Sequence, residues 1–450
     1  MVATIQDAKQ PSLKPPGVAA TTTPSPLAWI AAVACSKSSL AMLDQVIVSG
    51  TRFLTTVIVG RVAGANQLGV YTVAFAAIVL STCAQEALVT TPYAVYANRL
   101  SGRKRWLYLG GTIAQHLILS LLAVVLLAAV ACASQFLFRQ SELARVFAAL
   151  ALVVPLSLMR ELARRVSFAH LRMVSAVIVD AVTAAIQISV VMCLISCERL
   201  NAATALASLG VACLLTAATW LVTRRKAFAF RPRSIGKAWK KNLAFGRWMF
   251  AGQIAGAAAG YMPTWSLATV AGTAAAGVFA ACEHLALLSN PIILGFGNFI
   301  YPKSAIAFSC GGSRELSRVI RSGIVTMTVP MTVLVGGLIV FGDPLVRLLF
   351  GSEYTGHGLM IWVLAMCMPV WAVSCILSGG LCAMEKPQAT FAANFVGLVI
   401  ISMGCTVFSS FWGPLGAALG LLAGSVAASL YQGFAFVRYA RQSDPSRFEL

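Results

Sequence analysis

Acidic residues are scarce in this chain. Asp and Glu number 14 among 450 residues, against 34 Lys and Arg, and all charged residues together make up 11%. Soluble domains average about 25% charged residues, so this shortage excludes an ordinary water-facing surface. Histidine is rarer still, with four copies, which leaves little material for imidazole catalysis. No Walker loop, Gly-rich nucleotide fingerprint or GxSxG elbow occurs, so ATP hydrolysis on this chain is not expected. The 12 cysteines form no CxxC pair, and most fall in apolar stretches, as Cys83, Cys132, Cys213 and Cys405 do. They read as membrane-helix filler without a metal or redox role, and Cys193 and Cys197 share a helix face but lack partners. No signal peptide is expected, because no apolar core follows a basic start.

Apolar residues, by contrast, make up 59% of the chain, with a mean hydropathy of +0.83. A spanning helix takes about 20 of them. Twelve such stretches are expected, near 39–61, 69–95, 106–133, 143–163, 171–196, 203–223, 245–269, 275–301, 319–341, 358–381, 390–411 and 414–437. The expected fold class is an all-α polytopic membrane protein with two pseudo-symmetric six-helix bundles around a central cavity. Basic residues gather in alternate connections: Arg99 to Arg105, Arg160 to Arg165, Arg224 to Lys241, and Arg314 to Arg321. The intervening connections hold little beyond Arg139, Arg145, Arg199 and Arg347. By the positive-inside rule, both termini are expected in the cytoplasm, across the inner (cytoplasmic) membrane. This distribution accounts for most of the +20 net charge, so no nucleic-acid partner is expected. Attraction to anionic lipid or pyrophosphate would add about 1 kcal/mol per basic residue near the surface.

The chain also repeats itself. Val62-Ala-Gly-Ala-Asn-Gln-Leu-Gly69-Val-Tyr71 returns as Val270-Ala-Gly-Thr-Ala-Ala-Ala-Gly277-Val-Phe279, and Tyr93 falls opposite Tyr301 in the same register. Two related halves of a membrane protein commonly enclose a pathway. The expected division is a disordered tail at 1–26, a first bundle at 27–223, a basic linker at 224–242, a second bundle at 243–440 and a tail at 441–450. Leu27 to Cys35 is too short to span and is expected along the interface or as an extension of the first helix.

Polar residues inside the spans then carry the information, since a charge at mid-bilayer costs about 2.5–3.5 kcal/mol on insertion scales. Asp44, Thr51 and Thr55 align in the first span, with Arg52 on the adjoining face. Thr82, Glu86 and Tyr93 align in the second, Asp180, Thr183 and Gln187 in the fifth, and Glu283, Asn290, Gly297 and Tyr301 in the eighth, with Asn298 close by. These stripes are expected to face the cleft between the halves. The alternative for each is structural: Glu86 pairing with an Arg across the bundle, or Asp44 with Arg52. His116 and His170 are read as packed or solvated, Arg61 as an interface marker, and Pro263 as a bend in the seventh span.

The run Asp44-Gln-Val-Ile-Val-Ser-Gly-Thr-Arg52-Phe53-Leu, followed by Arg61, Gly64, Gly69 and Tyr71, resembles the opening helices of Wzx-type polysaccharide flippases. These belong to the multidrug/oligosaccharidyl-lipid/polysaccharide exporter superfamily. The resemblance implies flipping of polyprenyl-pyrophosphate-linked oligosaccharide by alternating access, without enzymatic chemistry. It implies that Arg52, Arg247 and Lys303 neutralise pyrophosphate, while Tyr93, Tyr261, Trp265, Asn290 and Asn298 contact sugar. Asp44, Glu86, Asp180 and Glu283 become candidates for exchanging a coupling ion, H+ or Na+, with no other cofactor. Partners would be the lipid-linked oligosaccharide, membrane lipids and polysaccharide assembly proteins. The intramembrane acids keep a cation-coupled multidrug exporter open. A lipid II flippase would need two further helices. A membrane polymerase would need a larger exported loop, an acyltransferase a reactive His, and a scaffold role would leave the buried charges without a use.

Overall fold

A computed structural model of the chain describes residues 37–97, 100, 102–136, 141–170, 172–224 and 232–442. The expected tails apart from residues 441–442, the Leu27 to Cys35 run and linker residues 225–231 lie outside this set. The described residues are almost wholly helical, in the order α1 (Lys37–Gln85), a π turn (Glu86–Thr90), α2 (Thr91–Ala97), α3 (Gly102–Phe136), α4 (Ser141–Ala169), α5 (Met173–Ser196) and α6 (Ala202–Arg224). After the linker come α7 (Pro232–Val270), α8 (Thr273–Ala286), α9 (Asn290–Phe350), α10 (Gly358–Ala383) and α11 (Pro387–Gln442). The backbone breaks inside α1 at Gly64, inside α9 at Gly311 and Gly312, and inside α11 at Gly413. Counted between breaks, with α8 running on into the first part of α9, twelve rods result, one for each expected span.

Nine helical stretches among the described residues, three of them containing one of these breaks, are long and apolar enough to cross a membrane. Their outer faces carry exposed Leu121, Val125, Leu152, Val329, Val333 and Phe411, as lipid requires. This is a multi-pass membrane protein. The seventh rod starts earlier than expected: α7 is helical from Pro232, absorbing half of the basic linker, and continues through Pro263 to Val270. Proline suits a helix start because its missing N–H would have had no partner there.

The sequence repeat is a structural repeat. Gly64 turns the chain with φ 84° and ψ 173°, and Gly272, its counterpart, with φ 88° and ψ 167°. Only glycine adopts such angles without strain. Five residues beyond each turn, Gly69 and Gly277 pack against the opposite copy. A Cβ on Gly69 would overlap the Thr273 carbonyl oxygen, and one on Gly277 would overlap the Ala65 carbonyl oxygen. Thr273 Oγ1 donates to Asn66 Oδ1 across the same contact. The two halves therefore meet at this end through equivalent residues, backbone to backbone, and α1 packs along α8.

A second contact between halves lies nearer the other end. Pro92 has no N–H and its ring would press on the carbonyl of Leu88, so the helix ahead of it widens. Thr91 N–H bonds Glu86 O, five residues back. The widened turn pushes Ala87 against α7, where a Cβ on Gly246 would overlap the Ala87 carbonyl oxygen. Nearby, Tyr108 donates to Asn242 Oδ1 at 2.6 Å, and Asn242 Nδ2 to Gln115 Oε1 at 2.7 Å.

Candidate functional site

The sequence reading places Arg160, Arg164 and Arg165 in a connecting loop. The structure places them inside α4, which runs on to Ala169. Met159, Leu162, Ala163 and Val166 recur at helical spacing and are buried in the core that they share with Tyr93 and Trp220. That apolar stripe holds the helix together past the charges, and the arginines project from its other side.

Each arginine finds acids there. Arg164 Nη2 lies 2.6 Å from Asp44 Oδ2 of α1, its Nε 2.7 Å from Asp180 Oδ2 of α5, and its Nη1 2.9 Å from Glu161 Oε1. Arg160 Nη1 donates to Asp180 Oδ1 at 2.9 Å. Arg165 joins Glu161 at 2.7 Å and Glu86, on the π turn, at 3.1 Å. Asp44 and Asp180 are almost fully inaccessible, at 0% and 1% exposure. Unpaired, they would be prohibitively costly; a shared guanidinium offsets much of that cost. The pairing is incomplete at Asp44, whose Oδ1 is buried without a hydrogen-bond partner.

This network forms one wall of a cavity of about 290 Å³ enclosed by α1, α4, α5 and α6. Its charged lining is Arg52, Arg160, Arg164 and Arg165 against Glu161 and Asp180. Asp44 and Glu86, which pair with Arg164 and Arg165 from just outside this lining, bring the acids to four, so Arg52 is the lining guanidinium without an ion pair within 4 Å among the described residues and the one available to an anion. Thr51, Thr82, Thr183 and Gln187 add neutral polar groups, and Gln187 Nε2 donates to Thr55 Oγ1 at 3.2 Å.

Arg52 sits where this cavity meets the second half. Its Nη2 donates to Tyr261 Oη of α7 at 2.7 Å, and its Cζ lies 4.3 Å from the Phe75 ring centroid. Tyr261 in turn stacks on Trp265, centroids 6.3 Å apart. Glu283 of α8 is half-buried.

The remaining expected residues go elsewhere. Tyr93 does not face a cleft; it is 1% exposed, stacks on Tyr108 at 5.9 Å and shares a 2.9 Å hydrogen bond with His170. Its counterpart Tyr301 is 39% exposed, so the repeat is not symmetric here. Arg247 and Lys303 are exposed and do not line the cavity. Asn290 is half-buried, with Oδ1 buried and unbonded; the side chain of Asn298 lies outside the described residues. The suggested Asp44–Arg52 pair does not form, because eight residues of helix separate their Cα atoms by about 12 Å. Glu86 and Asp180 adopt the structural alternative, pairing with arginines. His116 is buried beside Gln85 at 3.2 Å, and Arg61 Nη1 donates to Leu348 O at 2.8 Å. Among the described residues no cluster of His, Cys, Asp and Glu is arranged to hold a metal ion.

Comparison with known proteins follows the same outline. The model of the family described as polysaccharide biosynthesis protein matches residues 113–357, more than half of the chain. The chain belongs to that family. No curated protein matches it. Among solved structures, an inward-facing multidrug resistance MATE family transporter of the MOP superfamily superposes with a TM-score of 0.72 at 16% identity, covering 89% of this chain and 96% of that one. The lipid II flippase MurJ, in an inward closed conformation, gives 0.68 at 14% identity over 90% of each chain. A MOP superfamily transporter from Pyrococcus furiosus, described by the reverse polarity of its binding pocket, gives 0.66 at 14% identity, covering 90% and 96%. At these identities the likeness is one of fold. It bears out the architecture of two six-helix bundles, and the family match bears out the resemblance to polysaccharide flippases of this superfamily.

Proposed function

We propose that this member of the polysaccharide biosynthesis family flips polyprenyl-pyrophosphate-linked oligosaccharides across the inner membrane by alternating access. The observation that carries this reading is Arg52, whose guanidinium lines the cavity with a neutral Tyr261 hydroxyl as partner and no ion pair within 4 Å among the described residues. A pyrophosphate headgroup matches it; an organic cation does not. The alternation of basic connections places the Ala97 and Asn242 end in the cytoplasm and the Gly64 and Gly272 end outside. In this conformation the outer end is shut by the Gly69–Gly277 crossing. The headgroup would enter from the cytoplasm once α7 parts from the π turn at Gly246. Arg52 would exchange Tyr261 for a phosphate oxygen, and Arg160 and Arg165 would supply further donors. Glycosyl units would lie along Tyr261, Trp265 and Asn290 toward the second half.

Asp44 and Asp180 supply the reset. Asp44 keeps Oδ1 buried without a hydrogen bond and so offers a seat for a proton or Na+, while Asp180, held by Arg160 and Arg164, would answer through the arginine they share. Binding there would loosen Arg164 from its acids and change the cavity charge by one unit per ion.

Deleting the gene and measuring lipid-linked oligosaccharide by leaflet checks the proposal. Complete oligosaccharide-lipid should accumulate on the cytoplasmic leaflet, with surface polymer lost. Hypersensitivity to cationic drugs with normal polymer would support a drug exporter instead, and externally flipped but unpolymerised units would support an enzyme. Arg52→Ala should reduce flipping at least tenfold while the protein remains in the membrane.

A further inference from the structure

On the far side of α5 from the arginine cavity runs a second opening, a groove of about 930 Å³ between α5 and α6, with Leu40 of α1 at its edge. Its floor is apolar and open to the bilayer: Ile178 and Val182 are 56% and 44% exposed. Its polarity is graded. Arg172, Ser175 and Thr223 lie at one end, and Ile186 and Leu215 at the other.

We propose that this groove holds the isoprenoid tail of a polyprenyl phosphate, with the phosphate at Arg172; the inference rests on the flippase reading for its choice of lipid. Three observations carry it. From Arg172 to Ile186 the helix rises about 21 Å, which matches one leaflet with its headgroup region, about 20–22 Å. Arg172 is exposed at the start of α5, where the phosphate of a lipid in that leaflet would sit. The wall between groove and cavity is a single helix: Asp180, Thr183 and Gln187 line the cavity, Ile178, Val182 and Ile186 line the groove. Thr183 bonds Thr216 of the groove wall at 3.3 Å. A tail held here leaves its headgroup, at Arg172, one helix diameter across and about 12 Å along α5 from Asp180, where Arg160 and Arg164 pair.

Two other apolar grooves lie in the second half, one around Met331 between α9 and α10 and one around Phe341 between the end of α8 and α9, and neither has a basic residue on its wall. Adjacency to the arginine cavity and a basic mouth distinguish the α5–α6 groove from a seat for ordinary bilayer lipid. A flippase must keep the tail in the membrane while the headgroup crosses. The groove would hold the tail during loading and set a preference for single-chain polyprenyl lipids over two-chain phospholipids.

A benzophenone-bearing polyprenyl phosphate, photolysed with the full-length protein in membranes, would locate the tail. Cross-links should map to peptides of α5 and α6, fall at least fivefold with excess unlabelled polyprenyl phosphate, and persist with equal excess phosphatidylglycerol. Val182→Trp, which fills the groove, should reduce labelling about tenfold, and Arg172→Glu about fivefold. Equal competition by phosphatidylglycerol, or cross-links outside α5 and α6, would overturn the proposal; wild-type mapping decides this even if a variant fails to fold. The leaflet measurement separates the two ideas. Normal flipping without groove labelling removes the groove alone, whereas groove labelling without cytoplasmic accumulation in the deletion removes the flippase reading and leaves a polyprenyl-binding site.

Discussion

Arg164 is the residue on which most of the first half converges, because its guanidinium reaches Asp44, Glu161 and Asp180 on three helices. Removing it would leave two nearly inaccessible carboxylates without their shared counter-ion. Arg164→Ala is therefore expected to destabilise the protein by about 3–5 kcal/mol, the cost of breaking a buried pair, read as a lowered unfolding midpoint in detergent. Arg164→Ala with Asp44→Asn should recover part of that loss, since the second change removes one of the orphaned charges. Arg52 behaves differently. It is half-buried, its partner is a neutral Tyr hydroxyl, and no ion pair within 4 Å engages it among the described residues. Under the proposed function Arg52→Ala should cost little stability and much transport, an outcome that would separate structural from substrate-facing charge. Neither assignment was legible from residue type. Both are arginines beside apolar segments, and the acids that distinguish them are up to 120 residues away.

At the scale of elements, the crossing of α1 and α8 depends on two glycines that the repeat already singles out. Gly69→Ala or Gly277→Ala would set a methyl against a backbone carbonyl that cannot rotate away. Each should force this end apart and shift the protein toward an outward-open state. Cysteines at Asn66 and Thr273, which face each other in this structure, should cross-link readily in the parent and poorly in the alanine variants. Pro92→Ala addresses the opposite contact. Restoring the N–H allows a regular helix, withdraws Ala87 from Gly246 and should raise the solvent accessibility of a cysteine at Asn242. The sequence exposes the glycines because a repeat without insertion marks them. It does not expose the π turn, whose consequence appears only where α7 packs against it.

Over the whole molecule, each half folds its own helices and meets the other through backbone contacts at Gly69–Gly277 and Ala87–Gly246 and through Arg52–Tyr261. Residues 1–228 and 229–450, expressed as separate chains in one cell, are expected to assemble in the membrane and co-purify. Gly69→Trp should abolish that association while each half still inserts. Recovery of flipping by the reassembled halves would indicate that the connection serves topology and not coupling; insertion without association would show that covalent linkage holds them together.

The sequence by itself determined the twelve spans, their all-helical class, the duplicated halves and the glycine turns at 64 and 272. Each is a local property: a segment is long and apolar enough to insert, or a residue adopts φ near +85° without strain. Tertiary structure alone decided which charges are structural. A hydropathy reading weighs each charge separately, so it ended the fourth span before Arg164 and Arg165 and assigned all three arginines to a loop. Inside the fold those charges meet acids from α1, α5 and the π turn, and the mutual neutralisation that lets α4 continue exists only after the helices have packed. The same packing moved Tyr93 from the expected cleft into a core and left Arg52 at the boundary between the halves.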